Sequence, residues 1–240
     1  MTPASTASSG TGAGTLVLVG GEEWHNGCRD LDAELLASSG ADEVLVLPTA
    51  AAYERPERVG EQANAYFSSL GAKARVLPVL HRREAEDAQL AAEVRAARFV
   101  YLVDGSPLHL RSVLKGSVLF DGLLAAFHGG AVIAASGAGA TVLCDPMVDP
   151  RGGAYTVGLG IVRNLAVFPY HGTAADHLRA RSIDLLHESA TLVGVDEQTA
   201  LVRASDGTWT ARGAGAVSVY DEAGAAQAYR SCATVPGLPA

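Results

Sequence analysis

The sequence predicts an α/β protein: a doubly wound, mostly parallel sheet with helices on both faces, finished by antiparallel strands near the C-terminus. Three observations carry this. Short runs of valine, leucine and isoleucine that are apolar throughout, rather than alternating, recur up to residue 135; such runs belong to strands buried on both faces. Helical spacing follows several of these runs, which makes the pairs βα units. Beyond about Tyr155 the rhythm changes to strands separated by turn residues, the mark of antiparallel pairing.

Taken in order, 15–19 is a buried strand ended by Gly20 and Gly21, and 30–38 is a helix with Leu31, Leu35 and Leu36 on one side. A second strand, 43–47, stops at Pro48. The stretch 56–70 is amphipathic and begins with a proline suited to a first helical turn. A third strand covers 74–77, a third helix 84–97 and a fourth strand 99–103, which runs into Asp104-Gly-Ser-Pro107. The fifth strand, 131–135, runs into a glycine-rich turn. Strands at 165–168 and 191–195 enclose a helix around 174–187. The segments 200–203, 208–212 and 216–220 read as a closing antiparallel meander, with turns at Asp206-Gly207 and Gly213–Gly215. His128, before Gly129-Gly130, reads as a helix C-terminal residue.

One domain over 15–240 fits a chain of this length. The Ser, Thr, Ala and Gly run at 1–14 has no basic residue and no apolar core, so it reads as a flexible leader rather than a signal peptide. A net charge of -8 argues against nucleic acid and anionic membranes as partners. No run approaches the roughly 18 apolar residues of a spanning helix. Three cysteines without metal-like spacing fit free thiols in a reducing cytoplasm. No cofactor or metal is expected: Glu22-Glu23-Trp24-His25 lacks clustered partners, and Gly12-Ala-Gly14 precedes its strand, where no dinucleotide loop can lie.

In such sheets ligands bind beyond the carboxyl ends of the strands, so the chemistry is sought there. Val132-Ile-Ala-Ala-Ser-Gly-Ala-Gly-Ala140 is a strand turning through small residues into a helix, the layout of a nucleophile elbow. The segment Ala135-Ser-Gly-Ala-Gly-Ala140 resembles the Gly-Thr-Ser-Ala-Gly-Ala motif of the cyanophycinase and dipeptidase E family, serine exopeptidases of class I glutamine amidotransferase-like fold. Three further segments agree in order. Gly20-Gly-Glu22 resembles the family's opening Gly-Gly-Glu. Leu102-Val-Asp-Gly-Ser-Pro107 falls where the family carries Thr-Gly-Gly-Asp-Gln. Gly194-Val-Asp-Glu-Gln-Thr-Ala-Leu201 resembles Gly-Ile-Asp-Glu-x-Thr-Ala-Leu.

The resemblance implies a serine at position 137, where this chain has Gly137. It implies His171 as the base, with His177 as the alternative, and Glu197 as the carboxylate that orients it. Asp196 and Glu197 read equally as a turn with one solvated acid. Gly105 and Ala138 are the implied oxyanion-hole donors, and Glu22, Asp104, Ser106 and Ser136 the cleft residues. Asp104 replaces a glycine of the family, and a carboxylate beside the hole opposes developing negative charge. Glycine relaxes an elbow that costs roughly 1–3 kcal/mol in any residue with a side chain.

The expectation is a hydrolase frame whose catalysis has lapsed, keeping a cleft for a small molecule or short peptide. The alternatives are a working peptidase or amidase on small acidic peptides, using Ser136, Ser106, Cys144 or an activated water, and an unrelated activity grafted on the fold. Cys144 is expected two turns into the helix after the elbow, buried and inert. Because relatives of this family often dimerise, the resemblance also carries a homodimer.

Overall fold

The computed structural model describes residues 13–149 and 151–239. Most of the expected leader thus lies outside the described residues. Of its last two, Ala13 packs against the core and the Gly14 N–H donates to the Phe127 carbonyl, so the packed chain begins before Thr15.

The first half runs β1 (Leu16–Val19), α1 (Arg29–Ser39), β2 (Glu43–Leu47), α2 (Pro56–Ser68), β3 (Lys73–Val76), α3 (Arg82–Ala85), α4 (Ala88–Ala96), β4 (Phe99–Leu102), α5 (Pro107–Leu114), α6 (Val118–His128), β5 (Val132–Ser136) and α7 (Ala138–Leu143). The second half contains the short strands β6 (Cys144–Asp145), β7 (Met147–Val148), β8 (Tyr155–Thr156) and β9 (Val162–Arg163). These lead to β10 (Leu165–Phe168), α8 (Asp176–Asp184), β11 (Thr191–Val195), β12 (Thr199–Arg203), β13 (Trp209–Gly213), β14 (Ala216–Tyr220) and β15 (Ala226–Arg230). Among the described residues no helix is long and apolar enough to cross a membrane.

A seven-stranded sheet in the order β13-β12-β1-β5-β4-β2-β3 forms the frame, parallel from β1 to β3 and antiparallel at β12 and β13. Its strands bury both faces with a period of two, as strand geometry requires. Leu16, Leu18, Val100, Leu102 and Ile133 share one core with the α3–α7 side, while Val17, Val19, Phe99, Tyr101 and Val132 pack under α1 and α2. A second sheet, β15-β14-β11-β10-β6-β9, places Val167, Val193 and Val195 in the first of these cores. Ala166, Phe168 and Leu192 on its other face pack with Leu178 and Ile183 of α8.

Three expectations need correction. The closing strands do not form one meander: β12 and β13 extend the main sheet, whereas β14 pairs with β11 in the second sheet. The turn at 213–215 is what carries the chain across. The helix expected over 84–97 is two, because the Asp87 carboxylate accepts from the Gln89 and Leu90 N–H groups and starts α4 afresh. The helix whose C-terminus was expected at His128 is the second of two, α5 and α6, over 107–128. Pro107 at a first-turn position behind the Ser106 cap starts α5, and Ser117 caps α6 by accepting from the Phe120 N–H.

Candidate functional site

The carboxyl ends of β1, β4 and β5 lie side by side, since β5 pairs in parallel with both β1 and β4. Three loops therefore meet there: Gly20–Trp24 after β1, Asp104–Ser106 after β4 and Gly137 after β5. At Gly137 the backbone takes φ 47° and ψ -104°, angles that an L side chain adopts only under strain. The Gly137 N–H donates to the Val19 carbonyl at 2.9 Å, and the Thr141 N–H donates to the Gly137 carbonyl at 3.2 Å. The sharp strand-to-helix turn read from the small residues around position 137 is thus present in the backbone.

What fills the turn is the Asp104 carboxylate. Its Oδ1 accepts the Ala138 N–H at 2.6 Å and the Gly105 N–H at 2.7 Å. Its Oδ2 accepts the Tyr170 hydroxyl. A Cβ added to Gly137 would lie 2.2 Å from Asp104 Cγ and from Oδ1, far inside van der Waals contact. The two N–H groups singled out in the sequence, those of Gly105 and Ala138, therefore converge on one oxygen that the protein itself supplies.

Behind Asp104 sits a residue that the sequence reading left out of the site, Glu23. Its Oε1 accepts the Asp104 N–H at 3.1 Å and its Oε2 accepts the Ser136 hydroxyl at 2.7 Å. Glu23 thereby clasps the ends of β4 and β5. Burial pushes its carboxyl above the ordinary carboxylate range, against the Ser136 hydrogen bond, which lowers it. The signal that could have located it was the Gly-Gly-Glu-Glu run itself. The strand ends at Gly20 and both Glu22 and Trp24 take left-handed φ values, so the loop turns Glu23, not Glu22, inward. Glu22 is exposed and its carboxylate lies near His25, outside the cleft.

His171 follows β10, which lies beside β11 in parallel register. Its ring is half-buried, with Nδ1 3.2 Å from Asp196 Oδ1 and Nε2 2.7 Å from the Tyr220 hydroxyl. Burial holds the imidazole below its usual range, while Asp196 acts the other way. A neutral ring then donates from Nδ1 to Asp196 and accepts the Tyr220 O–H at Nε2, the tautomer this network assigns. Both nitrogens are engaged, and His171 does not line the cavity beside Gly137. The carboxylate at His171 is that of Asp196. Glu197 instead accepts the Thr173 hydroxyl. His177 is exposed on α8.

The residue that reaches the elbow from this loop is Tyr170, the neighbour of His171. It holds φ 53°, its N–H donates to the Gly20 carbonyl, and its ring packs where a side chain on Gly21 would stand, 2.3 Å from that Cβ position. Glycine at 21, with φ 119°, is what admits the ring. A cavity of about 280 Å³ opens beside Asp104 and Tyr170, walled by Pro107, Val148, Phe168 and Leu178.

The remaining candidates are placed elsewhere. Ser136 is fully buried on β5 and tied to Glu23. Ser106 accepts the His109 N–H as the cap of α5 and does not line the cavity. Cys144 is buried, as expected, but it lies in strand β6 because α7 ends after six residues at Leu143; burial pushes its thiol upward.

The fold and site can be set beside known proteins. The family described as Peptidase family S51 matches residues 16–210. Cyanophycinase of Trichormus variabilis is 26% identical over 222 residues, spanning 88% of this chain and 74% of the relative. Cyanophycinase of Synechococcus elongatus is 25% identical over 221 residues, 87% of this chain and 68% of that protein. A crystal structure of a peptidase from an acI-B1 Actinobacterium superposes with TM-score 0.84 at 26% identity, over 94% of this chain and 98% of that one. A putative peptidase E from Listeria monocytogenes EGD-e, 15% identical, shares the fold with TM-score 0.62 over 79% of this chain and 94% of its own.

Proposed function

The chain belongs to peptidase family S51, and from that premise we propose that it has kept the fold and cleft of a serine peptidase while losing the reaction, so that it binds a small molecule or short peptide without cleaving it. One observation carries this reading: the Asp104 carboxylate occupies the position from which the Gly105 and Ala138 N–H groups would stabilise an oxyanion. Acyl transfer needs those donors free when negative charge develops, and here they already hold one. Gly137 brings no nucleophile, and without a nucleophile the acceleration of a triad site falls to at most roughly 10³–10⁴-fold over water, supplied by the hole and by binding. A filled hole takes away part of that remainder.

The other nucleophiles considered from sequence fit the geometry poorly. The Ser136 hydroxyl donates to Glu23, Ser106 caps a helix, and the Cys144 thiol is buried with its ionisation suppressed. His171 has its Nε2 committed to Tyr220, so a water activated by it would first have to displace that hydroxyl.

The test is exposure of the full chain to a fluorophosphonate probe and to aspartyl dipeptides. The expected result is neither covalent labelling nor release of amino acids. Stoichiometric labelling, or turnover that survives removal of contaminating peptidases, overturns the reading.

A further inference from the structure

The charge around the cavity beside Gly137 is one-sided. Among the described residues that line it, Asp104 and Asp149 are carboxylates and none is Lys, Arg or His. Asp149 is neutralised in place, since its two oxygens take the Arg151 guanidinium at 3.0 and 2.7 Å. Among the described residues Asp104 has no such partner. Its three hydrogen-bond donors, the Ala138 and Gly105 N–H groups and the Tyr170 hydroxyl, are neutral dipoles. They share the charge without cancelling it. An ionised carboxylate offers about four acceptor positions, so three donors leave one free, on Oδ2. The rest of the wall is mostly apolar, with Pro107, Val148, Phe168 and Leu178 among its lining residues.

From this arrangement we infer that the cavity is a site for a small primary amine carried on an apolar body, its ammonium paired with Asp104 and its body against Phe168 and Leu178. The inference rests on the reading of the site as one that binds without cleaving, and it adds the class of ligand. An anionic ligand would bring its charge to an uncompensated carboxylate in a partly desolvated site, where like charges repel most strongly. A neutral ligand of equal shape would gain the apolar contacts alone. An ammonium adds a charge-assisted hydrogen bond, the strongest polar contact the site can offer.

Three probes of the same shape and different charge test this: benzylamine, benzyl alcohol and phenylacetate, titrated calorimetrically into the full chain near neutral pH. Benzylamine is expected to bind about tenfold or more tightly than benzyl alcohol, the range of one charge-assisted hydrogen bond, with no saturable binding of phenylacetate. Asp104→Asn keeps the shape and one acceptor and should bring benzylamine to within about twofold of benzyl alcohol, since only the charge-assisted part is lost. Ala174→Phe, which adds a ring at a lining position of the cavity, should abolish binding of both. Equal affinities for all three probes, tighter binding of phenylacetate, or a benzylamine preference that survives Asp104→Asn or Ala174→Phe overturns the inference while leaving a binding cleft in place. Absence of saturable binding by any probe overturns the inference and the proposed cleft together. Covalent labelling by the fluorophosphonate overturns the non-cleaving reading and leaves the charge preference to be judged by the titrations.

Discussion

The carboxylate of Asp104 and the missing side chain of Gly137 compete for one position, with only 2.2 Å between Asp104 Cγ and the point where a Cβ on residue 137 would stand. A side chain at position 137 therefore requires the Asp104 carboxylate to turn away and give up its hydrogen bonds from the Gly105 and Ala138 N–H groups.

Introducing a serine at position 137 alone should accordingly give no reactive hydroxyl. Gly137→Ser is expected to remain unlabelled by a fluorophosphonate, whereas Gly137→Ser combined with Asp104→Gly is expected to be labelled slowly, because a serine hydroxyl and free N–H donors coexist there while His171 Nε2 stays bonded to Tyr220. Peptide turnover should stay low even in the double variant, since the Tyr220 hydroxyl holds His171 Nε2. Labelling of the single variant would refute the exclusion.

The same contact predicts a non-additive stability cycle. Gly137→Ala meets both a positive φ, costing roughly 1–3 kcal/mol, and the Asp104 collision, so its Tm should fall by several degrees, at about 2–4 °C per kcal/mol for a chain of this size. In an Asp104→Gly background the collision is gone and the added loss should shrink to the strain component alone. Thermal melts of the four proteins in the cycle measure the difference.

Asp32 makes the pH dependence of stability testable. It is buried on α1, accepts the Tyr66 hydroxyl at 2.8 Å, and burial pushes its carboxyl from the usual 3.8 up to about 7. A carboxylate whose folded pKa is raised binds its proton more tightly in the folded state. Its contribution to stability is therefore present at low pH and is lost as pH climbs from about 4 to about 7. Asp32→Asn should be nearly neutral at pH 4 and stabilising at pH 8, by a few degrees in Tm. An equal effect at both pH values would remove Asp32 as the titrating group.

For His171 the sign is the opposite. Burial lowers its folded pKa, so the unfolded chain takes up the proton first as pH falls below about 6.5, and stability declines from there down to the folded pKa. Histidine-selective NMR titration should find one ring that stays neutral below the usual midpoint. Tyr220→Phe, which removes the O–H bonded to the neutral Nε2, should move that midpoint upward.

The three thiols should separate cleanly. Cys28 and Cys144 are buried and Cys232 is exposed, and burial pushes the Cys28 thiol up to about 12. An aromatic disulfide reagent at pH 8 should titrate about one thiol in the native protein and all three in denaturant, since the thiolate is the reacting species. Rapid reaction of Cys144 in the native state would reopen its use as a nucleophile.

By itself the sequence determined the frame. Buried strands read as continuous apolar runs, so β1, β2, β4 and β5 and their parallel order of appearance were legible, as was the elbow at Gly137, because small residues leave a local signature wherever strand and helix must approach closely. Asp104 was legible as a foreign charge beside that elbow. The helices α5 and α6 were less so, although Pro107 and the capping serines Ser106 and Ser117 carry their start signals. Only the tertiary structure decided that Asp104 accepts the Gly105 and Ala138 N–H groups, that Glu23 rather than Glu22 turns inward, that Asp196 rather than Glu197 meets His171, and that the Tyr220 hydroxyl takes its other nitrogen. Apart from the bond to the neighbouring Gly105 N–H, each of these contacts joins residues from 25 to 81 positions apart, and two of them select one of two adjacent acids. Periodicity and composition report which residues face a core. The direction of one side chain at a loop is fixed by the partners that the fold brings to it, and those partners come from other strands.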